Sequence, residues 1–159
     1  LPVKKSKFAI FANGFGKPIC SVEINILKSG VVHMKRQAVD TREIWKLMED
    51  YYNSVYNADV DSLRDMFHEK AVMIGSSGNM LMSGTPEPLF REIASEPSSA
   101  SMGAECGAAY VELKIHGNSA EARTYANGYY GSSTVEDYFE MVKEDGRWKI
   151  ICKIINAVD

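Results

Sequence analysis

At 159 residues, with 45% apolar and 25% charged side chains and a net charge of −3, the chain has the size and mix of one globular domain with a modest addition. No run approaches the roughly 18 apolar residues that a membrane-spanning helix needs, so no membrane partner is expected. Cys20, Cys106 and Cys152 are an odd count without CxxC spacing. They read as buried thiols in a reducing, cytoplasmic setting, not as a disulfide frame or zinc site.

Charge is unevenly spread. Residues 1–36 hold seven Lys and Arg against Glu23 alone, a net of +6, which leaves −9 on the remainder. A basic leader on an acidic body can pair with that body, with a partner or with nucleic acid; the last is disfavoured because the body repels a phosphate backbone. Lys4, Lys5 and Lys7 precede FAIFA, but the apolar run is too short for a signal peptide and Asn13, Gly14 and Gly16 break it. KFAIF, the turn-like NGFGKP, ICSVEINIL, a Lys28-Ser29-Gly30 turn and VVHM predict a strand-rich extension over residues 1–36. Residues 37–159 form the domain proper.

Asp40 or Thr41 can cap a helix that carries Ile44, Met48, Tyr51 and Val55 at helical spacing, with Trp45, Tyr52 and Tyr56 beside them. Asn57-Ala58-Asp59 breaks it, and Asp59 or Asp61 caps a second, short helix with Leu63, Met66 and Phe67 inward. AVMIG, residues 71–75, is a strand, Ser76 to Asn79 a turn, and MLMSG the return. Pro86 and Pro88 open a third helix over residues 87–95. Three or four strands follow, over residues about 108–116, 120–127, 134–143 and 147–155. The last two flank Asp145-Gly146, a pair suited to a type I′ turn, which needs positive φ at both central residues.

The DGRWKI-type terminal hairpin, following Phe67-His68-Glu69-Lys70-Ala71, resembles the nuclear transport factor 2-like superfamily, and within it the putative lumazine-binding branch, over residues about 41–156. The resemblance implies an α+β fold in which a cone-shaped, curved, mostly antiparallel sheet wraps three helices and leaves a pocket at its open end. It also implies a homodimer.

The Asp145-Gly146 turn sets a register in which Met141 faces Ile150, Phe139 faces Cys152 and Asp137 faces Ile154. These six share the more apolar, inward parity. Tyr138, Glu140, Ile151 and Lys153 fall on the outer parity, a half-polar face suited to a second subunit. On the preceding strand Ala120, Ala122, Thr124 and Ala126 point in. Asp137 is then a carboxylate on an apolar face, which is costly unless it is hydrogen-bonded or wet. It is either a brace at the strand edge or a pocket acid or base with a raised pKa. His68, at the helix-to-strand junction, is either a loop brace or, by the resemblance, a ligand contact. Tyr51, Tyr52 and Tyr56 are core or cavity wall. With Trp45, Met48, Met73, Phe90, Phe139 and Cys152 they make an aromatic, methionine-rich lining suited to a flat apolar or heteroaromatic molecule.

The superfamily's enzymes supply comparisons. Aligned on FHEKAVMIG, the ketosteroid isomerase general base falls at Gly75, which has no side chain, although Tyr51 matches the tyrosine. The Asp-Arg-Asp set of limonene-epoxide hydrolases and the histidine pair of scytalone dehydratases are incomplete as well. Three scattered histidines make no metal set. Gly14-Phe15-Gly16 lacks the third glycine and following helix of a dinucleotide site. Neither metal nor cofactor is expected. The leading reading is non-covalent binding of a small apolar or aromatic molecule. The alternatives are a cofactor-free lyase or isomerase using Asp137 with Tyr51 or His68, or a structural or interaction protein without a ligand.

Overall fold

The computed structural model describes residues 7–9, 21–23, 31–77, 80–129 and 134–158. The chain divides into two compact units, Leu1–Asp40 and Thr41–Asp159. In the first, β1 (Lys7–Ala9) pairs antiparallel with β2 (Ser21–Glu23). The remaining leader positions expected to be strand over residues 8–12 and 19–27 lie outside the described residues.

The long helix α1 (Val31–Asn57) starts ten residues before the expected cap. The sequence from Met34 to Ala38 consists of strong helix formers, and nothing between Gly30 and Asn57 breaks the helix. VVHM is therefore helix and not strand, and Asp40 and Thr41 sit inside α1 and do not cap it. The helix stops where expected. Ala58 takes a positive φ of 56°, and the Asp59 amide bonds back to the Ser54 carbonyl at 2.8 Å. Asp59 then caps α2 (Val60–Met66), its carboxylate accepting from the Ser62 amide.

The sheet of the second unit consists of β3 (Phe67–Ser77), β4 (Met80–Gly84), β5 (Gly107–His116), β6 (Ser119–Asn127), β7 (Thr134–Glu144) and β8 (Arg147–Ala157), with α3 (Glu87–Ser95) between β4 and β5. Strand order is β4-β3-β8-β7-β6-β5. Every pairing is antiparallel except β3 with β8. The result is an unclosed, curled sheet with helices on its inner face. Asp145 and Gly146 have φ of 48° and 79°, the two positive values that a type I′ turn requires.

The core joins Ile44, Met48, Tyr51 and Val55 of α1 to Phe139, Met141 and Ile150 of the terminal hairpin. On β6 the inward residues Ala120, Ala122, Thr124 and Ala126 are all buried. Their short side chains let α1 lie close to the sheet, so that a tyrosine on the helix reaches the strands.

The expected register holds from Glu144–Arg147 to Met141–Ile150 and then fails. Glu140 faces Cys152, and Ile151 is an extra residue in β8. The parallel pairing with β3 shifts at the same point, between Phe67–Ile150 and Val72–Cys152. Such a bulge moves every following side chain to the opposite face. Beyond it Phe139 faces Lys153 and Asp137 faces Ile155. Cys152 therefore leaves the inner face, and Lys153, expected outside, enters it.

Candidate functional site

Two adjacent ranks cross the inner face of the sheet. One runs Gly75, Ile155, Asp137, Thr124, Tyr110; the other runs Met73, Lys153, Phe139, Ala122, Leu113. Asp137 and Lys153 are diagonal neighbours between the ranks. Both are completely buried, as is Thr124. Lys153 Nζ donates to Asp137 Oδ1 at 2.7 Å. From α1, the Tyr52 hydroxyl donates to Asp137 Oδ2 at 2.9 Å and lies 2.5 Å from Thr124 Oγ1. The four side chains form one continuous polar cluster inside an apolar core. Burial without such partners would cost several kcal/mol per charge.

The cluster is walled by aromatic rings. Lys153 Nζ lies 5.5 Å from the Tyr51 ring centroid and 5.4 Å from that of Phe139, within cation–π reach. Tyr51 packs edge-on against Phe139 at 5.1 Å, and Tyr52 packs against Tyr129 at 5.0 Å. Tyr129 is placed by Gly128, whose φ is 79°; a Cβ there would stand 2.4 Å from the Glu105 carbonyl oxygen. Trp45 meets Tyr110 edge-on at 5.0 Å. Trp45, Tyr110, Tyr129 and Ile155 pack on the core but stay partly accessible, so the wall that begins at the buried pair reaches the surface.

The expected residues are brought together in part. Asp137, Tyr51, Tyr52 and Phe139 meet in the cluster, with Met48 buried behind them and Met73 in the Lys153 rank. Tyr56 reaches instead to the Ala104 carbonyl, at 3.5 Å, and Phe90 packs on Phe67 at 5.3 Å. His68 is remote. Its Nε2 lies 3.1 Å from Glu144 Oε2 and its Nδ1 accepts from the Lys70 amide. Glu144 is seven residues from Asp137 along β7, roughly 23 Å at 3.3 Å per residue. Cys152 faces Glu140 on the outer parity, not Phe139. Thr124 was already expected to point inward. Tyr110, Tyr129 and Lys153 were not singled out as site residues. Lys153 was legible only as an exception: a lysine in the run IICKII, one bulge away from a buried carboxylate that lacked a cation.

Desolvation draws the Lys153 amine below its ordinary value, and Asp137 opposes that by charge and by hydrogen bond. Burial pushes the Tyr110 and Tyr129 phenols upward, so both are neutral donors at physiological pH. Among the described residues no three His, Cys, Asp or Glu side chains are grouped to hold a metal. A separate groove of about 590 Å³ lies between α1, α2 and the start of β8, lined by Asn53, Asn57, Asp65, Trp148 and Lys149 among others. Lys149 and Arg147 there both pair with Asp65. None of the cluster residues lines it.

A family model described as putative lumazine-binding matches residues 39–155. The chain belongs to that family. No curated protein matches it in sequence. Solved structures share the fold. A nuclear transport factor 2-like protein of unknown function from Shewanella baltica is 24% identical, with a TM-score of 0.66, over 77% of this chain and 96% of that one. Another of unknown function, from Silicibacter pomeroyi, is 15% identical, with a TM-score of 0.69, over 76% and 98%. A third, from Streptomyces avermitilis, is titled a putative dehydratase of the same fold family; it is 14% identical, with a TM-score of 0.56, over 77% and 99%. Among the described residues, no helix is long and apolar enough to cross a membrane.

Proposed function

We propose that this member of the putative lumazine-binding family holds a small apolar or aromatic molecule, non-covalently, inside the cone. The observation that carries this reading is the buried Thr124–Tyr52–Asp137–Lys153 cluster set in an aromatic wall. A few fixed polar groups within a largely apolar lining are what orient a flat ligand. Tyr110 and Tyr129 add neutral phenols, and Trp45 adds a stacking surface. Native mass spectrometry and fluorescence titration with 6,7-dimethyllumazine and 2-naphthalenemethanol test the reading. At least one should bind, and Tyr52→Phe should weaken it about tenfold, the worth of one oriented hydrogen bond. If neither binds and the purified protein carries no co-purified organic molecule, the reading is wrong.

A second reading, a cofactor-free lyase or isomerase, draws on the Tyr52–Asp137 hydrogen bond. Here Asp137 moves the proton and Tyr52, rather than His68, steadies the developing oxyanion. One fold neighbour, described as a putative dehydratase, is in keeping with it. Asp137→Asn should then abolish turnover and spare binding. We further infer that a second copy covers the outer face of the sheet, where Tyr125, Tyr138 and Val111 are exposed. Sedimentation showing only a 17.7 kDa species at micromolar concentration would overturn this.

A further inference from the structure

Lys153 is the member of the cluster that non-covalent binding of a neutral molecule does not require. A hydroxyl or an amide would hydrogen-bond such a ligand without the cost of a buried charge. A buried ion pair also adds little stability over apolar residues of the same volume. The surroundings of this lysine are those that make an amine a nucleophile. It has no exposed surface, aromatic rings flank it on two sides, and a carboxylate stands 2.7 Å away to take its proton.

We propose that Lys153 captures aldehydes or ketones admitted to the cone by forming an imine at Nζ, with Asp137 as its proton carrier. The proposal rests on the reading that the cone admits small apolar or aromatic molecules, and it names their reactive group as a carbonyl. Asp137 takes one proton from the ammonium. The freed nitrogen lone pair adds to the carbonyl carbon, and the oxygen takes that proton back from Asp137. Asp137 next removes a proton from the new N–C nitrogen, leaving a neutral carbinolamine. The nitrogen lone pair then expels the hydroxyl, which leaves as water with the proton on Asp137. The product is a protonated imine still paired with the Asp137 carboxylate. One water is released and nothing is oxidised or reduced. Tyr52, bonded to the other carboxylate oxygen and to Thr124, fixes the orientation of Asp137 throughout.

Lys46 and Lys114 serve as internal references. Asp50 raises the pKa of Lys46, and Glu112 and Glu121 raise that of Lys114, whereas burial lowers that of Lys153. At neutral pH the buried amine should be the more nucleophilic, provided the carbonyl reaches it.

The test treats the folded full chain with 2-naphthaldehyde and cyanoborohydride at pH 7 and maps the reduced adducts by peptide mass. Binding of 2-naphthalenemethanol, which cannot form an imine, is followed in parallel. Lys153 should be labelled at least tenfold faster than Lys46 or Lys114, and the alcohol should protect it without protecting them. Asp137→Asn should slow Lys153 labelling about tenfold or more. Tyr52→Phe covers the case in which Asp137→Asn fails to fold: it removes the group that orients Asp137 and should slow Lys153 labelling several-fold while leaving Lys46 and Lys114 unchanged. If the alcohol binds but Lys153 is labelled no faster than the references, or only after unfolding in urea, the lysine is a brace and only the imine proposal falls. If the alcohol does not bind and Lys153 is not labelled, the imine proposal falls, and the binding reading falls with it only when 6,7-dimethyllumazine also fails to bind and no organic molecule co-purifies.

Discussion

The terminal hairpin carries acid–base pairs at both ends, at nearly the same distance and with opposite meaning. Inside the cone, Lys153 meets Asp137 at 2.7 Å with both side chains wholly buried. Toward the turn, Lys143 meets Glu43 at the same 2.7 Å, but Glu43 is 43% exposed; Arg147 and Lys149 share an Asp65 that is 68% exposed. Water screens the outer pairs, and losing one leaves a charge that water solvates. Losing either inner partner leaves the other's charge buried away from water. Distance alone does not rank these pairs; the medium around them does.

The largest effect expected from this contrast is that of Lys153→Met, which should destabilise the domain by about 3–5 kcal/mol in urea titrations. The double change Lys153→Met with Asp137→Leu should recover most of that loss. A double variant as weak as the single one would show that the pair is not the source. Next comes Tyr52→Phe. It removes the donor to Asp137 and the partner of Thr124, and should cost about 1–3 kcal/mol by the same measurement. At the small end stands Lys46→Ala, which breaks the exposed Lys46–Asp50 pair and should shift stability by no more than about 0.5 kcal/mol, less at high salt. A loss there comparable to that of Tyr52→Phe would erase the contrast.

A pH series sharpens it further. The folded-state pKa of Tyr110 is raised above 10.0 by burial. Its contribution to stability is therefore complete below pH 10 and lost as pH climbs beyond it, because the unfolded chain releases that proton first. Tyr110→Phe lacks this loss. Any stability gap between the two proteins should stay constant below about pH 9 and shift in favour of the variant above pH 10. Denaturation midpoints across that range check the sign.

Much of the fold was legible because its signals are local. Asp145-Gly146, the alternation in β6 and β7, Asp59 as a cap, and Pro86 with Pro88 opening α3 each depend on a few neighbouring residues. The inward carboxylate of Asp137 was legible for the same reason, since β7 is regular from the turn onward. Where a non-local cause decides, the reading failed. The bulge at Ile151 answers to β3 and β7 together, and nothing in IICKII marks which residue is extra. One skipped residue exchanged Cys152 for Lys153 on the inner face and hid the cation that Asp137 needs. The early start of α1 was missed for another reason. VVHM has strand propensity by composition, yet it is carried as the first turn of a long helix whose later residues favour the helical state.

The place of β8 in the sheet has a consequence for how the chain matures. The last of the described strands, β8, is third in spatial order, between β3 and β7, and the Phe67 it pairs with lies some eighty residues upstream of Ile150. While a ribosome is still extending the chain, β3 and β7 have no neighbour on the facing side, and Asp137 exists without Lys153. Closure of that long-range pairing comes late and is intrinsically slow. The nascent domain thus passes through a stage with two open edges and an uncompensated acid between them, a stage suited to chaperone capture. Docking of β8 supplies the missing hydrogen bonds and the missing cation in one step.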